Sequence, residues 1–299
     1  MRYLITGVNG FVGSRLARHL LAQGIEVAGT FFEEAPPLAG IAAYEADLLD
    51  RAALARAVAA AAPDVVVNLA GLSHVGESWQ RMPDYFRVNV LGTENVLAAA
   101  YGRRVVMASS AEVYGAVPEA EQPIREERQP APRTPYALTK AAAERLALAH
   151  GAVVARSFNL VGPGQSARFA LPAFATQLAE IARGERPPVL RVGNLSARRD
   201  FVHVDDGAAG YQLLAERGGA GEIYNMASGV ACSIAEALDL LREIAGVEAA
   251  VEPDPERVRP IDLPLLVGDS GRLRGLGWTP QRDLRQAVAD LWEQVRPPG

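Results

Sequence analysis

Apolar positions come in two rhythms along this chain. Short unbroken runs, too short for a helix and flanked by turns, alternate with longer stretches where apolar residues recur every three or four positions. Residues 2–6, 27–32, 64–69 and 105–107 read as buried strands, with another strand expected just before Ala46-Asp47-Leu48. Residues 14–23, 51–61 and 90–100 read as helices between them; the last carries Leu91, Val96 and Leu97. Such alternation predicts an α/β protein built on a doubly wound parallel sheet. Further on, 169–183 and 234–246 read as apolar-faced helices, and 118–135, rich in proline and charge, as a flap over a cleft. The expected plan is a Rossmann domain over 1–157, rejoined by about 199–218. A smaller mixed α/β substrate-binding lobe takes about 158–198 and 219–299.

Composition narrows the class. With 299 residues, 49% hydrophobic and 22% charged, the chain has ample material for a core and an ordinary soluble surface. A net charge of −5 argues against general nucleic-acid binding, so an anionic ligand needs a local arginine cluster. The one cysteine, Cys232, excludes an internal disulfide and a thiolate metal cage, and no metal is expected. The first strand starts at Arg2, leaving no room for a signal peptide, and no apolar run approaches a membrane span. A soluble, cytoplasmic protein without a membrane partner is the expectation.

The first strand runs into Gly7-Val-Asn9-Gly10-Phe11-Val12-Gly13 and then directly into a helix ending at Gly24. Strand, three glycines at this spacing, then helix is the dinucleotide-binding arrangement: backbone approaches the pyrophosphate, which rests on the helix N-terminus. Asp47 and Leu48 follow the third strand, where an acid meets the adenine amino group or, equally, serves helix capping near Asp50. An NAD site would carry an acid at the end of the second strand, and an NADP site an arginine. Here that strand ends Thr30-Phe31-Phe32-Glu33-Glu34, so NAD versus NADP stays open.

Of thirty basic side chains, Lys140 is the only lysine. In a chain that otherwise uses arginine, this is either a place where a compact ammonium is needed and a planar fork fails, or an accidental lysine on a surface helix. Lys140 stands four residues after Tyr136 in Tyr136-Ala-Leu-Thr-Lys140, so on a helix the two share a face. The ammonium then favours phenolate. Moving a phenol from ~10 to ~7 takes roughly 4 kcal/mol of differential stabilisation.

Ser109-Ser110-Ala111-Glu112-Val113-Tyr114-Gly115 follows the fifth strand, at the carboxyl edge where such sheets bind ligands. With the glycine loop, Ser110 and Tyr136/Lys140 in this order, the chain resembles the extended short-chain dehydrogenase/reductases that act on nucleotide sugars. The resemblance covers nearly the full length. It implies that Tyr136 is the acid/base, that Lys140 lowers its pKa and holds the nicotinamide ribose, and that Ser110 hydrogen-bonds the reacting sugar oxygen. It also places Asn68-Leu69-Ala70-Gly71 along the cofactor cleft, and Asn159, Arg199 and Arg259 on the substrate diphosphate. His74, in Ser73-His74-Val75, faces the substrate or has a structural role. Arg199 is otherwise a structural ion pair with Asp200.

Within that superfamily, Gly162-Pro-Gly-Gln165, Val192-Gly-Asn-Leu195 with Arg199-Asp200-Phe201, and Asp254-Pro255 leading to Arg259-Pro260 look most like GDP-4-keto-6-deoxy-mannose reductases. The resemblance implies NAD(P)H-dependent reduction of a C4 ketone to give GDP-rhamnose. Two rivals within the family stay open: a GDP-mannose 4,6-dehydratase with Glu112 as the C5 base, and a 4-epimerase. A cofactor-binding regulator would not need Ser110, Tyr136 and Lys140 together. Helices at 90–100 and 136–149 are similar to those that form a homodimer interface in the family.

Overall fold

The computed structural model of the chain describes residues 1–36, 38–257 and 262–297. The N-terminal half builds β1 (Arg2–Thr6), α1 (Phe11–Leu21), β2 (Glu26–Phe31), β3 (Ala42–Glu45), α2 (Arg51–Ala61) and β4 (Val65–Asn68). Two short helices follow, α3 (Val75–Ser78) and α4 (Met82–Tyr85). A π-helical turn over Phe86–Leu91 then leads into α5 (Gly92–Ala99), and β5 (Arg104–Ser110) and α6 (Pro135–Ala149) complete this half. Next come β6 (Val153–Ser157), β7 (Asn159–Val161), α7 (Ala170–Ala182), β8 (Val189–Val192), β9 (Arg198–His203) and α8 (Val204–Arg217). The chain ends with β10 (Ile223–Met226), β11 (Ala231–Ser233), α9 (Ile234–Ala245), β12 (Ala250–Pro253), β13 (Leu265–Leu266), α10 (Gly271–Gly275) and α11 (Leu284–Val295).

Seven strands form one parallel sheet in the order β10-β6-β5-β4-β1-β2-β3. Side chains alternate across a strand, so the unbroken apolar runs feed two cores. Tyr3, Ile5, Val65 and Val67 face α1 and α8, packing on Leu16, Leu20, Tyr211 and Leu214. Leu4 and Val66 face the other way, onto Leu54, Val58, Val96, Leu97 and Ala147 of α2, α5 and α6. Asp50 caps α2 by accepting from the Ala53 N–H at 2.9 Å, and Thr134 caps α6 from the Ala137 N–H at 3.1 Å. Pro135 at the first position of α6 adds a preset φ where no N–H is needed.

The lobe has its own core, in which α7, α9 and α11 pack Leu178, Leu241 and Leu291 together with Leu190 of β8. Its sheet runs β11-β9-β13, with β7 also paired to β9, and β8 pairs with β12. The expected domain boundaries therefore shift at two places. Within 199–218 only α8 returns to the large sheet, against α1; β9 belongs to the lobe. Conversely β10, inside the stretch 219–299 expected in the lobe, is the edge strand of the large sheet.

The segment 118–135 is not a flap over the cleft. Ile124 is buried and bridges to Gly268, and the Ile124 carbonyl and Glu126 carboxylate accept from Asn225, so the loop is pinned beside β10. Its Ile124, with Val117 just before the segment, joins a small core with Tyr114, Phe158 and Leu266, and no residue of 118–135 lines the cleft.

One buried ion pair ties the sheet to α6. The Glu144 carboxylate takes Nε of Arg156 at 3.0 Å and NH2 at 2.8 Å, and accepts from the Ser109 hydroxyl. Both charged side chains are about 2% exposed, and the guanidinium lies 4.7 Å from the centre of the Tyr114 ring. Glu144→Ala strands a buried guanidinium, so the expected loss is about 3–5 kcal/mol. A urea titration checks it: the midpoint falls at unchanged slope.

Candidate active site

A cleft of about 790 Å³ runs along the carboxyl ends of β1, β2, β4 and β5. At one end lie Gly7, Asn9, Gly10, Phe11, Val12 and Gly13, with Phe31 and Phe32, Asp47 and Leu48, and Leu69, Ala70 and Gly71 around them. At the other end stand Ser110, Glu112, Tyr136, Lys140 and Asn159. The large sheet therefore gathers all the expected cofactor residues and the four expected catalytic ones into one opening.

The glycine loop is shaped for a group that needs backbone contact. Gly7 has φ +67°, and a Cβ there would come within 3.1 Å of Ala70. At Gly13 a Cβ would stand 2.2 Å from the Gly7 carbonyl oxygen, so only glycine lets α1 approach the loop this closely. The N-cap of α1 is Gly10, with no side-chain cap and no acidic residue in the first turn. Its first N–H groups and the positive end of the dipole are thus presented to an anion. A dinucleotide pyrophosphate fits this cradle. Asp47 does not cap α2, a role taken by Asp50; its carboxylate accepts from the Leu49 N–H at 2.9 Å and sits in the cleft wall.

Two further polar side chains hold the cleft wall, and neither was foreseen. The Thr6 hydroxyl donates to Oδ1 of the buried Asn68 at 2.7 Å and accepts from the N–H groups of Leu69 and Ala70, each at 3.1 Å. Asn89, inside the π turn, receives the Leu72 N–H at 2.8 Å and donates to the Leu72 carbonyl at 2.9 Å and Thr139 at 3.0 Å. The expected helix at 90–100 is in fact this turn followed by α5, and the wider turn accommodates Asn89. A buried asparagine in an otherwise apolar helical stretch was the available signal.

Tyr136 is buried and edge-on to Tyr85, with Ser110 beside it in the cleft wall. Burial pushes its pKa above the ordinary phenol value; the Ser110 hydroxyl pulls back, and the Glu112 charge adds to the rise. The expectation of a lowered pKa is therefore reversed in the protein alone, because desolvation outweighs every favourable contact. Lys140 shares the face of α6 one turn on. Burial lowers its pKa to about 8, opposed by the Glu144 charge.

A second cavity of about 730 Å³ opens on the lobe side and shares Asn159, Leu160, Gln165 and Phe169 with the first. His74, Arg168, Arg199 and Arg257 line it. His74 is also the N-cap of α3, accepting from the Glu77 N–H at 3.1 Å, so it has a structural role while lining the cavity. Arg199 is buried and pairs not with Asp200 but with Asp262 at 2.5 Å, while donating to the carbonyls of Arg198 and Leu263. Asp200 instead receives the N–H groups of Ser228, Gly229 and Gly268. Arg259 lies outside the described residues. No cluster that could hold a metal ion occurs among the described residues.

Comparison with known proteins bears on this geometry. The family model "NAD dependent epimerase/dehydratase family" matches residues 3–227. This chain belongs to the NAD dependent epimerase/dehydratase family. GDP-6-deoxy-D-mannose reductase of Pseudomonas aeruginosa is 36% identical, over 98% of this chain and 97% of its own length. The structure of RMD from Pseudomonas aeruginosa complexed with NADPH superposes with a TM-score of 0.86 at 33% identity, covering 98% of each chain. UDP-glucose 4-epimerase of Thermus thermophilus, in complex with NAD, gives 0.90 at 30% identity over 99% of each. The α/β fold with its Rossmann-like parallel sheet is thus shared with nicotinamide-dependent enzymes.

Gly13→Ala is expected to lever α1 off the loop, costing about 1–3 kcal/mol by overpacking. A fluorescence titration with NADPH or NADH should show weakened binding; unchanged affinity would contradict the cradle.

Proposed function

We propose that the protein reduces the C4 ketone of GDP-4-keto-6-deoxy-mannose to give GDP-rhamnose, using NAD(P)H. The observation that carries this reading is the gathering of Ser110, Tyr136 and, one turn along α6, Lys140 in the wall of the cofactor cleft, which joins the second cavity at Asn159 and Leu160. The 36% identical reductase from Pseudomonas aeruginosa supports the choice of reaction.

A bound reduced nicotinamide supplies the hydride. As negative charge gathers on the C4 oxygen, the Ser110 hydroxyl donates a hydrogen bond to it and the Tyr136 hydroxyl gives up its proton. A phenol kept neutral by burial is in the correct state to donate. The Lys140 ammonium, one turn away, stabilises the phenolate left behind and would hold the ribose of a bound nicotinamide cofactor. Asn159 and Arg199 position the diphosphate. Arg199 keeps donors beyond its bond to Asp262.

A specific observation favours a second reading. Glu112 lines the same cleft and acts electrostatically on Tyr136, a placement suited to the C5 base of a GDP-mannose 4,6-dehydratase. Absorbance of NADH or NADPH mixed with GDP-4-keto-6-deoxy-mannose separates the two: steady loss supports the reductase. No loss, with a 4-keto product formed from GDP-mannose, supports the dehydratase.

The pair of helices around Asn89 and Tyr136 supports a homodimer. Met82, Phe86, Leu91 and Leu138 are exposed on α4, the π turn and α6, which pack against one another. Light scattering should give twice the chain mass, and Leu91→Glu with Leu138→Glu should give a monomer.

Two outcomes test the chemistry. Tyr136→Phe should lower turnover by about 10²–10⁴-fold, the worth of a general acid, with cofactor affinity kept. Lys140 is charged below its folded pKa of about 8, so kcat/KM for the cofactor should fall as pH rises through that value. A flat profile to pH 9.5, on the order of one unit above, would contradict the need for the ammonium.

A further inference from the structure

Cofactor choice has a physical answer in the cleft wall. The carboxylate that would grip a free ribose 2′-hydroxyl is expected at the end of β2. Phe31 and Phe32 line the cleft there, whereas Glu33 and Glu34 are exposed and outside its lining. Nothing at that position therefore requires an unphosphorylated ribose.

Among the described residues, three basic side chains line the cleft: Arg81, Arg87 and Lys140. Lys140 stands beside Tyr136 on α6. Arg81 is held by Glu77 at 2.8 Å and Asp84 at 2.9 Å. The arginines of the second cavity are also paired: Arg168 with Glu77, Arg199 with Asp262, Arg257 with Asp254. Arg87 differs from these other arginines. It is exposed, and among the described residues its guanidinium has no hydrogen-bond or ion-pair partner, only its backbone carbonyl accepting from Gly92.

Its position places it near the adenosine. Arg87 lies in the π turn next to Val88, which packs in the same cluster as Leu48 and Ala70, the walls of the adenine end. The following helix is pressed onto that loop: a Cβ at Gly92 would meet Leu48 at 2.9 Å, and Asn95 donates to the Leu48 carbonyl at 2.9 Å. Arg87 thus lines the cleft from an element packed on the Leu48 loop, beside the residues expected around adenine.

We propose that Arg87 is the specificity-determining residue for the cofactor, its guanidinium binding the 2′-phosphate of NADPH in the place of the cation absent from β2. The assignment rests on reading this cleft as a dinucleotide site. A guanidinium suits a phosphomonoester because two parallel N–H groups meet two oxygens. Its lack of a carboxylate partner means that no ion pair must break first.

Calorimetric titration of the full chain with NADPH and with NADH, for wild type, Arg87→Ala and Arg87→Lys, tests it. Wild type should bind NADPH more tightly. Arg87→Ala should weaken NADPH by about tenfold or more, near 1.4 kcal/mol, with NADH changed less than about twofold. Arg87→Lys should fall between, since it keeps charge without the fork. Equal weakening of both dinucleotides, or none, overturns the assignment while leaving the cleft a dinucleotide site. Wild type that binds neither overturns that reading as well.

Discussion

The bidentate pair between Glu144 and Arg156 is the constraint on which the site's geometry depends. Glu144 lies one turn beyond Lys140 on α6, Arg156 sits in β6, and Glu144 also receives the hydroxyl of Ser109, the neighbour of Ser110. One carboxylate thereby sets the register of α6 against two strands, and with it the approach of Tyr136 to Ser110. Such a pair gains little over apolar packing in bare stability, because both charges are desolvated. What it provides is a single arrangement, since a slipped helix would leave two buried charges unpaired.

The same desolvation shapes the chemistry. Burial raises the pKa of Tyr136 and lowers that of Lys140. In each case the neutral form is favoured. A neutral phenol is a competent proton donor, and an ammonium that is only just stable at neutral pH is sensitive to any anion brought near it. Charge arriving on the sugar oxygen and passing to Tyr136 is then met by a cation poorly compensated by water, which strengthens their attraction. The cleft thus uses dryness at its catalytic end and open backbone N–H groups at its pyrophosphate end, two different ways of receiving negative charge.

Much of this was legible in the sequence because it depends on local rules. The Gly7 to Gly13 spacing, the helix over 51–61 and the tyrosine–lysine spacing each follow from backbone sterics or helical period, and the chain obeys them. What escaped depends on tertiary partners. β10 is a four-residue strand far along the chain, and only pairing with β6 makes it part of the large sheet. The proline-rich segment read as a flap by composition, yet Ile124 and Glu126 anchor it beside β10. Arg199 and Asp200 are adjacent in sequence but point to opposite faces of β9, so each finds a different partner. The pKa direction of Tyr136 needed the burial of the whole pocket, which a spacing cannot express.

The central claim is a net, stereospecific reduction at C4. Its most direct test is deuterium transfer, using NAD(P)H labelled at the transferred position with GDP-4-keto-6-deoxy-mannose, and product analysis by NMR. The account predicts one deuterium at C4 of a GDP-rhamnose product, with one cofactor oxidised per sugar. Product with no deuterium at C4, or sugar turnover without net cofactor oxidation, would contradict it.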